Sequence, residues 1–290
     1  MDKTFFLSKG GLGYDDLNPR TNKKTKSYAS LLVRHGAGDT LFVLIYVNDI
    51  IITGSNTLSV NQVITSLASK FSIKDLGNLH YFRGIEVIRS SNGLILTQAN
   101  YVNEILNDEL MTDCKSVNTP ISASELLTLS DGTHLADATH WDRDIVDRVS
   151  TYDYILFLGN NPISLSSKKQ NTVSRSSTES EYRAVANALS ETLWVTNLLN
   201  ELRVPVHQIP TIYCDNFGAT FLSKNHVLHS RVKHAVVDFH FVRHYFDIKR
   251  VRVVHVHGAD QIADTLTKAL SKSTFEYNLF KLGLVTHRLT

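Results

Sequence analysis

Thr178-Glu179-Ser180-Glu181, Cys214-Asp215-Asn216 and Gln261-Ile262-Ala263-Asp264 each place a carboxylate where a helix begins or a strand ends. Side chains at such points converge when a fold gathers them into one small site. Carboxylates brought together repel, and a cation relieves the repulsion. Glu179 or Glu181, with Asp215 and Asp264, therefore points to a Mg2+ site acting on phosphodiesters. Each has a plainer role open to it. Thr178 and Glu181 fit a capping box, Asp215-Asn216 can cap the next helix, and Asp264 suits a solvated helix face. Their joint occurrence carries the metal reading. A second feature is Tyr46-Val47-Asn48-Asp49, with an apolar Ile/Val-rich arm on either side. That pattern reads as a β-hairpin with Asn48-Asp49 as a good turn.

The elements that must position these residues follow from periodicity. Val60, Val63, Ile64, Leu67, Ala68 and Phe71 recur at helical spacing behind a Ser55/Asn56 cap, which predicts a helix over 55–72. Strands are expected over 79–98 around a Ser91-Asn92-Gly93 turn, then a helix carrying Tyr101, Val102, Ile105 and Leu106. Further on, strands are predicted at Tyr154–Leu158 and Pro162–Ser166, and a long helix from Thr178 to Arg203. A strand at Ile212–Cys214, helices at Phe217–Ser223 and Ala235–Ile248, a strand at Val251–Val256 and a final helix at Asp260–Leu270 complete the pattern. Strands followed by alternating helix and strand make an α/β chain with a mixed sheet covered by helices. Residues 1–34 show no convincing period and read as irregular.

Composition sets bounds on the function classes. Hydrophobic residues make up 42% of 290, enough for two modest domains. No apolar run is long enough to span a bilayer, and the N-terminus lacks the layout of a signal peptide. Cys114 and Cys214 are too few for a disulfide framework, so an intracellular location, cytoplasm or nucleus, is expected. Net charge is only +2, but six Lys/Arg fall between Arg231 and Arg252 against Asp238 and Asp247. Arg231, Lys233, Arg243 and Arg252 are candidate phosphate contacts on that strip, with a solvated helix face as the plain alternative. His226, His229 and His234 lack the cysteines or the His-Glu pairing of a zinc site. His257 is either a loop residue or a proton carrier.

Several motifs in order resemble the pol polyprotein of plant copia-type long-terminal-repeat retrotransposons. Residues 41–54 are similar to its reverse transcriptase stretch, as are Phe71-Ser72-Ile73-Lys74-Asp75-Leu76-Gly77 and Tyr81-Phe82-Arg83-Gly84-Ile85-Glu86-Val87. Residues 151–270 resemble its ribonuclease H domain through Ser167-Lys168-Lys169-Gln170, Ser177-Thr178-Glu179-Ser180-Glu181-Tyr182 and Cys214-Asp215-Asn216. The resemblance implies a ribonuclease H-like mixed five-stranded sheet with helices, preceded by an α+β reverse transcriptase palm remnant. It implies residues 1–34 irregular, 35–120 palm-like, 121–140 a linker with an internal deletion, 141–275 ribonuclease H-like and 276–290 a tail.

The resemblance further implies catalysis by four carboxylates and two Mg2+ ions. Glu181, Asp215 and Asp264 match three of them, and Tyr182 with Ala184 selects Glu181 over Glu179. Aligned on Trp141, the first aspartate falls at Ala138 and the next acidic position at His140. Asp137 is one residue early, which on a strand points a side chain to the other face. At the polymerase site Asn48 stands where the family has the first Asp of a pair, and Asp49 remains. An amide supplies no charge to a metal, and the family's upstream strand aspartate has no counterpart in residues 1–40, so no polymerase activity is expected. The implied partner is an RNA-DNA hybrid or other nucleic acid, alongside other retroelement polyprotein parts, without a membrane. The implied function is two-metal hydrolysis of the RNA strand. The alternative is a catalytically dead nucleic-acid-binding remnant or decayed retroelement product.

Overall fold

The computed structural model describes residues 2–7, 23–28, 30–36, 38–47, 49–91, 93–115, 117, 119, 150–170, 173–174, 176–225 and 235–284. Asn48, Asp137, Ala138, His140, Trp141, Arg231 and Lys233 lie outside them, as do His226, His229 and His234. Contacts divide the chain into two units, residues 1–115 with 197–205, and residues 116–196 with 206–290.

In the first unit the strands are β1 (Asp2–Leu7), β2 (Lys23–Lys24), β3 (Leu31–His35), β4 (Thr40–Tyr46) and β5 (Asp49–Gly54). Helix α1 (Thr57–Lys70) follows, then β6 (Ile73–Asn78). Six strands form one sheet in the order β2-β3-β4-β5-β1-β6, every pair antiparallel. Leu41 and Val43 of β4 and Ile50 and Ile52 of β5 alternate onto one face, where they are buried. Val60 and Leu67 of α1 close over that face in the same core. The Asn56 side chain accepts the Leu58 amide at 2.8 Å and starts α1. Gly54 lets β4 and α1 approach, since a Cβ there would stand 2.9 Å from the Thr40 carbonyl oxygen and 3.1 Å from Val60 Cγ2. A smaller three-stranded sheet holds β7 (Tyr81–Phe82), β8 (Ile85–Ser90) and β9 (Gly93–Thr97), followed by α2 (Ala99–Asp108).

One expectation is corrected here. Residues 1–34 are not wholly irregular, because β1 inserts between β5 and β6. The hairpin over 41–53 forms, with β4 pairing antiparallel to β5, and its strands lie inside a six-stranded sheet. Pairing with a strand over forty residues away leaves no local period to read.

The second unit contains β10 (Thr151–Leu158), β11 (Asn161–Lys169), the long helix α3 (Ser177–Glu201) as far as Thr196, β12 (Thr211–Cys214), α4 (Phe217–Lys224) and α5 (Val236–Asp247). It ends with β13 (Arg252–His255), two 3-10 turns (Gly258–Asp260 and Ile262–Leu266) and α6 (Lys272–Lys281). Tyr182, Val185, Ala186 and Leu189 form one stripe of α3 at spacings of three and four. They pack with Cys214, Leu222, Phe239, Val242, Val251 and Val253 in one core. Strands β12 and β13 pair in parallel, with α4 and α5 in the crossover between them. Strands β10 and β11 pair antiparallel.

The architecture is mixed α/β with several small sheets. In place of a single five-stranded sheet, the described residues of this unit show two two-stranded ladders. The expected final α-helix at Asp260–Leu270 is corrected to two 3-10 turns, because the Asp264 amide reaches back only three residues to the Gln261 carbonyl. The tail from 276 is corrected as well, since α6 continues through it to Lys281.

Candidate functional site

Three backbone features of the second unit lead to one cavity. The parallel ladder ends at Cys214, which leaves Asp215 just past the strand tip. Asn216 then caps α4, its side chain accepting the Ala219 amide at 2.9 Å. Gly218 lets this turn approach α3, since a Cβ there would meet the Thr178 Oγ1 at 2.7 Å. That close approach sets Asp215 beside Glu181, one turn into α3. The 3-10 segment is tied to β12 by the Gln261 side-chain amide, which donates to the Tyr213 carbonyl at 3.3 Å. Asp264 is thereby held at the same place, in a cavity of about 630 Å³ whose wall includes Asp153, Glu181, Asp215, Asp264 and Lys268.

Ligand atoms of Glu181, Cys214 and Asp215 lie within 4.8 Å of one another. The Lys268 ammonium sits 2.8 Å from Asp264 Oδ1 and 3.6 Å from Asp215 Oδ2. Asp153, on β10, accepts the Thr267 hydroxyl at 2.7 Å. The charges are crowded. Burial, reinforced by Asp215, pushes Glu181 up to about 7. Burial likewise raises Asp264 to about 6, against the pull of Lys268. Asp153 is raised by burial, with the Thr267 hydrogen bond and Lys268 opposing. Burial pushes the Cys214 thiol up to about 11, so it stays protonated and the hard donors here are carboxylate oxygens.

Glu181, Asp215 and Asp264 come together. Glu179 does not join them: it is fully buried and pairs with Arg183 at 2.7 Å. His257 caps the first 3-10 turn, its Nδ1 accepting the Ala259 amide at 3.2 Å. Arg252 is exposed on β13. Arg243 is corrected as a phosphate contact, because it is buried at 6% exposure. Its guanidinium donates to the Asn225 carbonyl, pairs with Asp247 and lies over the Phe239 ring. In the first unit Asp49 is half-buried and stands opposite Tyr46 across the ladder. Among the described residues it joins no group of three metal-ligating side chains. Asp153 and Lys268 were not foreseen. The signals available were an acid in a strand and a lysine four residues after Asp264, both of which are commonplace on protein surfaces.

Residues 15–123 match the family described as Reverse transcriptase (RNA-dependent DNA polymerase). The chain is 37% identical over 331 aligned residues to the Retrovirus-related Pol polyprotein from transposon RE2 of Arabidopsis thaliana, covering 89% of this chain and 23% of that protein. Identity to the corresponding polyprotein from transposon RE1 of Arabidopsis thaliana is 36%, over 89% of this chain and 22% of that protein. The chain belongs to the retrovirus-related Pol polyproteins of plant copia-type transposons. An uncharacterized mitochondrial protein of Arabidopsis thaliana is 32% identical, over 53% of this chain and 94% of its own length. The chain thus spans less than a quarter of the length of the two transposon polyproteins. The aligned length of 331 exceeds the 290 residues here, so the RE2 polyprotein carries residues inside the match that this Pol chain does not. No solved structure matches. Among the described residues, no helix of this Pol chain is long and apolar enough to cross a membrane.

Proposed function

We propose that the second unit is a ribonuclease H-like domain that hydrolyses the RNA strand of an RNA-DNA hybrid with Mg2+. The observation that carries this is the meeting of Glu181, Asp215 and Asp264 in one cavity. The donor set fits a hard divalent cation. It offers carboxylate oxygens, burial already raises two of the carboxyls, and a cation would relieve that cost. Glu181 and Asp215 would hold such an ion, with Asp264 completing the cluster. A bound divalent ion supplies Lewis acidity and an activated water.

The chain's own groups do the rest. Asp215, fixed by the Asn216 cap and the ladder end, orients the cluster. Burial leaves Glu181 about half protonated near neutral pH, and a bound cation would favour its carboxylate form. Asp153 stands near enough to raise both Glu181 and Asp264, and it adds a fourth carboxyl to the wall. It belongs to β10 rather than to the segment around Asp137. Arg252, with Arg231 and Lys233, would contact phosphates. We assign the extra residues of the RE2 polyprotein to a deletion within 121–140.

The test is cleavage of a labelled RNA-DNA hybrid by the purified chain with and without Mg2+. Metal-dependent cleavage that Glu181→Gln and Asp215→Asn each abolish supports the reading. Tight hybrid binding without cleavage would leave the non-catalytic alternative. The first unit is proposed to extend no primer, because Asn48 leaves Asp49 without the second carboxylate of an Asp pair. A primer-extension assay giving product would overturn this.

A further inference from the structure

We propose that Lys268 is a resident counter-ion of the carboxylate cluster, bridging Asp215 and Asp264 until a divalent cation displaces it. This rests on the metal reading above. The ammonium lies 2.8 Å from Asp264 Oδ1 and 3.6 Å from Asp215 Oδ2, so one cation joins carboxylates from separate segments. The Lys268 amide also donates to the Asp264 carbonyl at 2.8 Å. That bond closes the backbone turn which aims the side chain back into the site.

Acids from several elements face the ammonium, and α6 adds the cation Lys281 to the cavity wall. Asp264 and Asp215 bond to it, Glu181 approaches from α3, and Asp153 feels its charge from β10. A divalent ion drawing on Asp215 and Asp264 needs the lone pairs that Lys268 now uses, and two cations at that range repel. The neighbouring Thr267 is anchored by its bond to Asp153. The backbone stays pinned while the flexible stem can turn away. Nearly half of the Lys268 side chain, 48%, is exposed, which leaves it a path into water.

The experiment is a Mn2+ titration of the full chain and of Lys268→Met, followed by electron paramagnetic resonance of free Mn2+. The variant is expected to bind about tenfold more tightly or better, a difference of about 1.4 kcal/mol. Equal or weaker binding by the variant would overturn the displacement. Absence of Mn2+ binding in both chains would instead remove the metal site itself, and the inference with it. Should the variant not fold, the unaltered chain still decides. Acylation of the Lys268 amine, read by mass spectrometry, is expected to rise severalfold at saturating Mn2+. Unchanged or reduced labelling would refute the displacement.

Discussion

Replacing Glu181 by Gln removes a carboxyl that the fold holds at about 7, against an ordinary value of 4.5. Burial is the main cause, and the negative charge of Asp215 adds to it. The folded chain keeps a proton between those values that the unfolded chain has released. The resulting stability is full below 4.5 and lost as pH rises through about 7. At about 1.4 kcal/mol per pH unit the displacement corresponds to about 3 kcal/mol. Water reaches this half-buried group, which reduces the figure to about 2 kcal/mol.

Glu181→Gln is therefore expected to match the parent chain at pH 5 and to exceed its stability by about 2 kcal/mol at pH 8. Asp153 and Asp264 titrate in both chains, and their coupling to Glu181 forms part of the difference. Urea unfolding followed by tryptophan fluorescence measures it, because both tryptophans, Trp141 and Trp194, fall within the second unit's residues. Mg2+ added at pH 8 is expected to stabilise the parent more than the variant. A stability difference independent of pH, or a variant weaker than the parent at pH 8, would refute the account of Glu181 as a crowded carboxyl.

Glu179→Ala is expected to act oppositely, costing about 3 kcal/mol at pH 8 in the same unfolding assay, because it strips a buried charge partner from Arg183. Leu189→Ala, at a position with no exposure, should cost about 2–5 kcal/mol by the same measurement. Asn216→Ala should cost about 1 kcal/mol through the lost α4 cap, and full stability would mean that the cap is not needed. Asp153→Asn keeps an acceptor for Thr267, so it should raise stability at pH 8 while weakening Mn2+ binding severalfold. Unchanged Mn2+ affinity would place Asp153 beyond the reach of the ion.

Much of this protein is legible along the chain because its cues are local. The stripe of Tyr182, Val185, Ala186 and Leu189 announces α3 by spacing alone, and Asn56 and Asn216 mark helix starts by their chemistry. Glu181, Asp215 and Asp264 stand out in sequence as a set, and in the fold Glu181 lines the cavity while Glu179 pairs with Arg183. Tertiary structure decided what depends on partners far off in sequence. Strand β1 took its place between β5 and β6 through backbone hydrogen bonds that no periodicity encodes. The turn at Asp264 tightened to 3-10 geometry, with Gln261 anchored on the Tyr213 carbonyl. Arg243 left the basic strip for the interior, where the Asn225 carbonyl and Asp247 receive its protons. Asp153 and Lys268 joined the site because β10 and the 3-10 turn pack together. Their electrostatic role is set by distances of a few ångströms across the fold, and those distances are a property of the packed unit rather than of any segment within it.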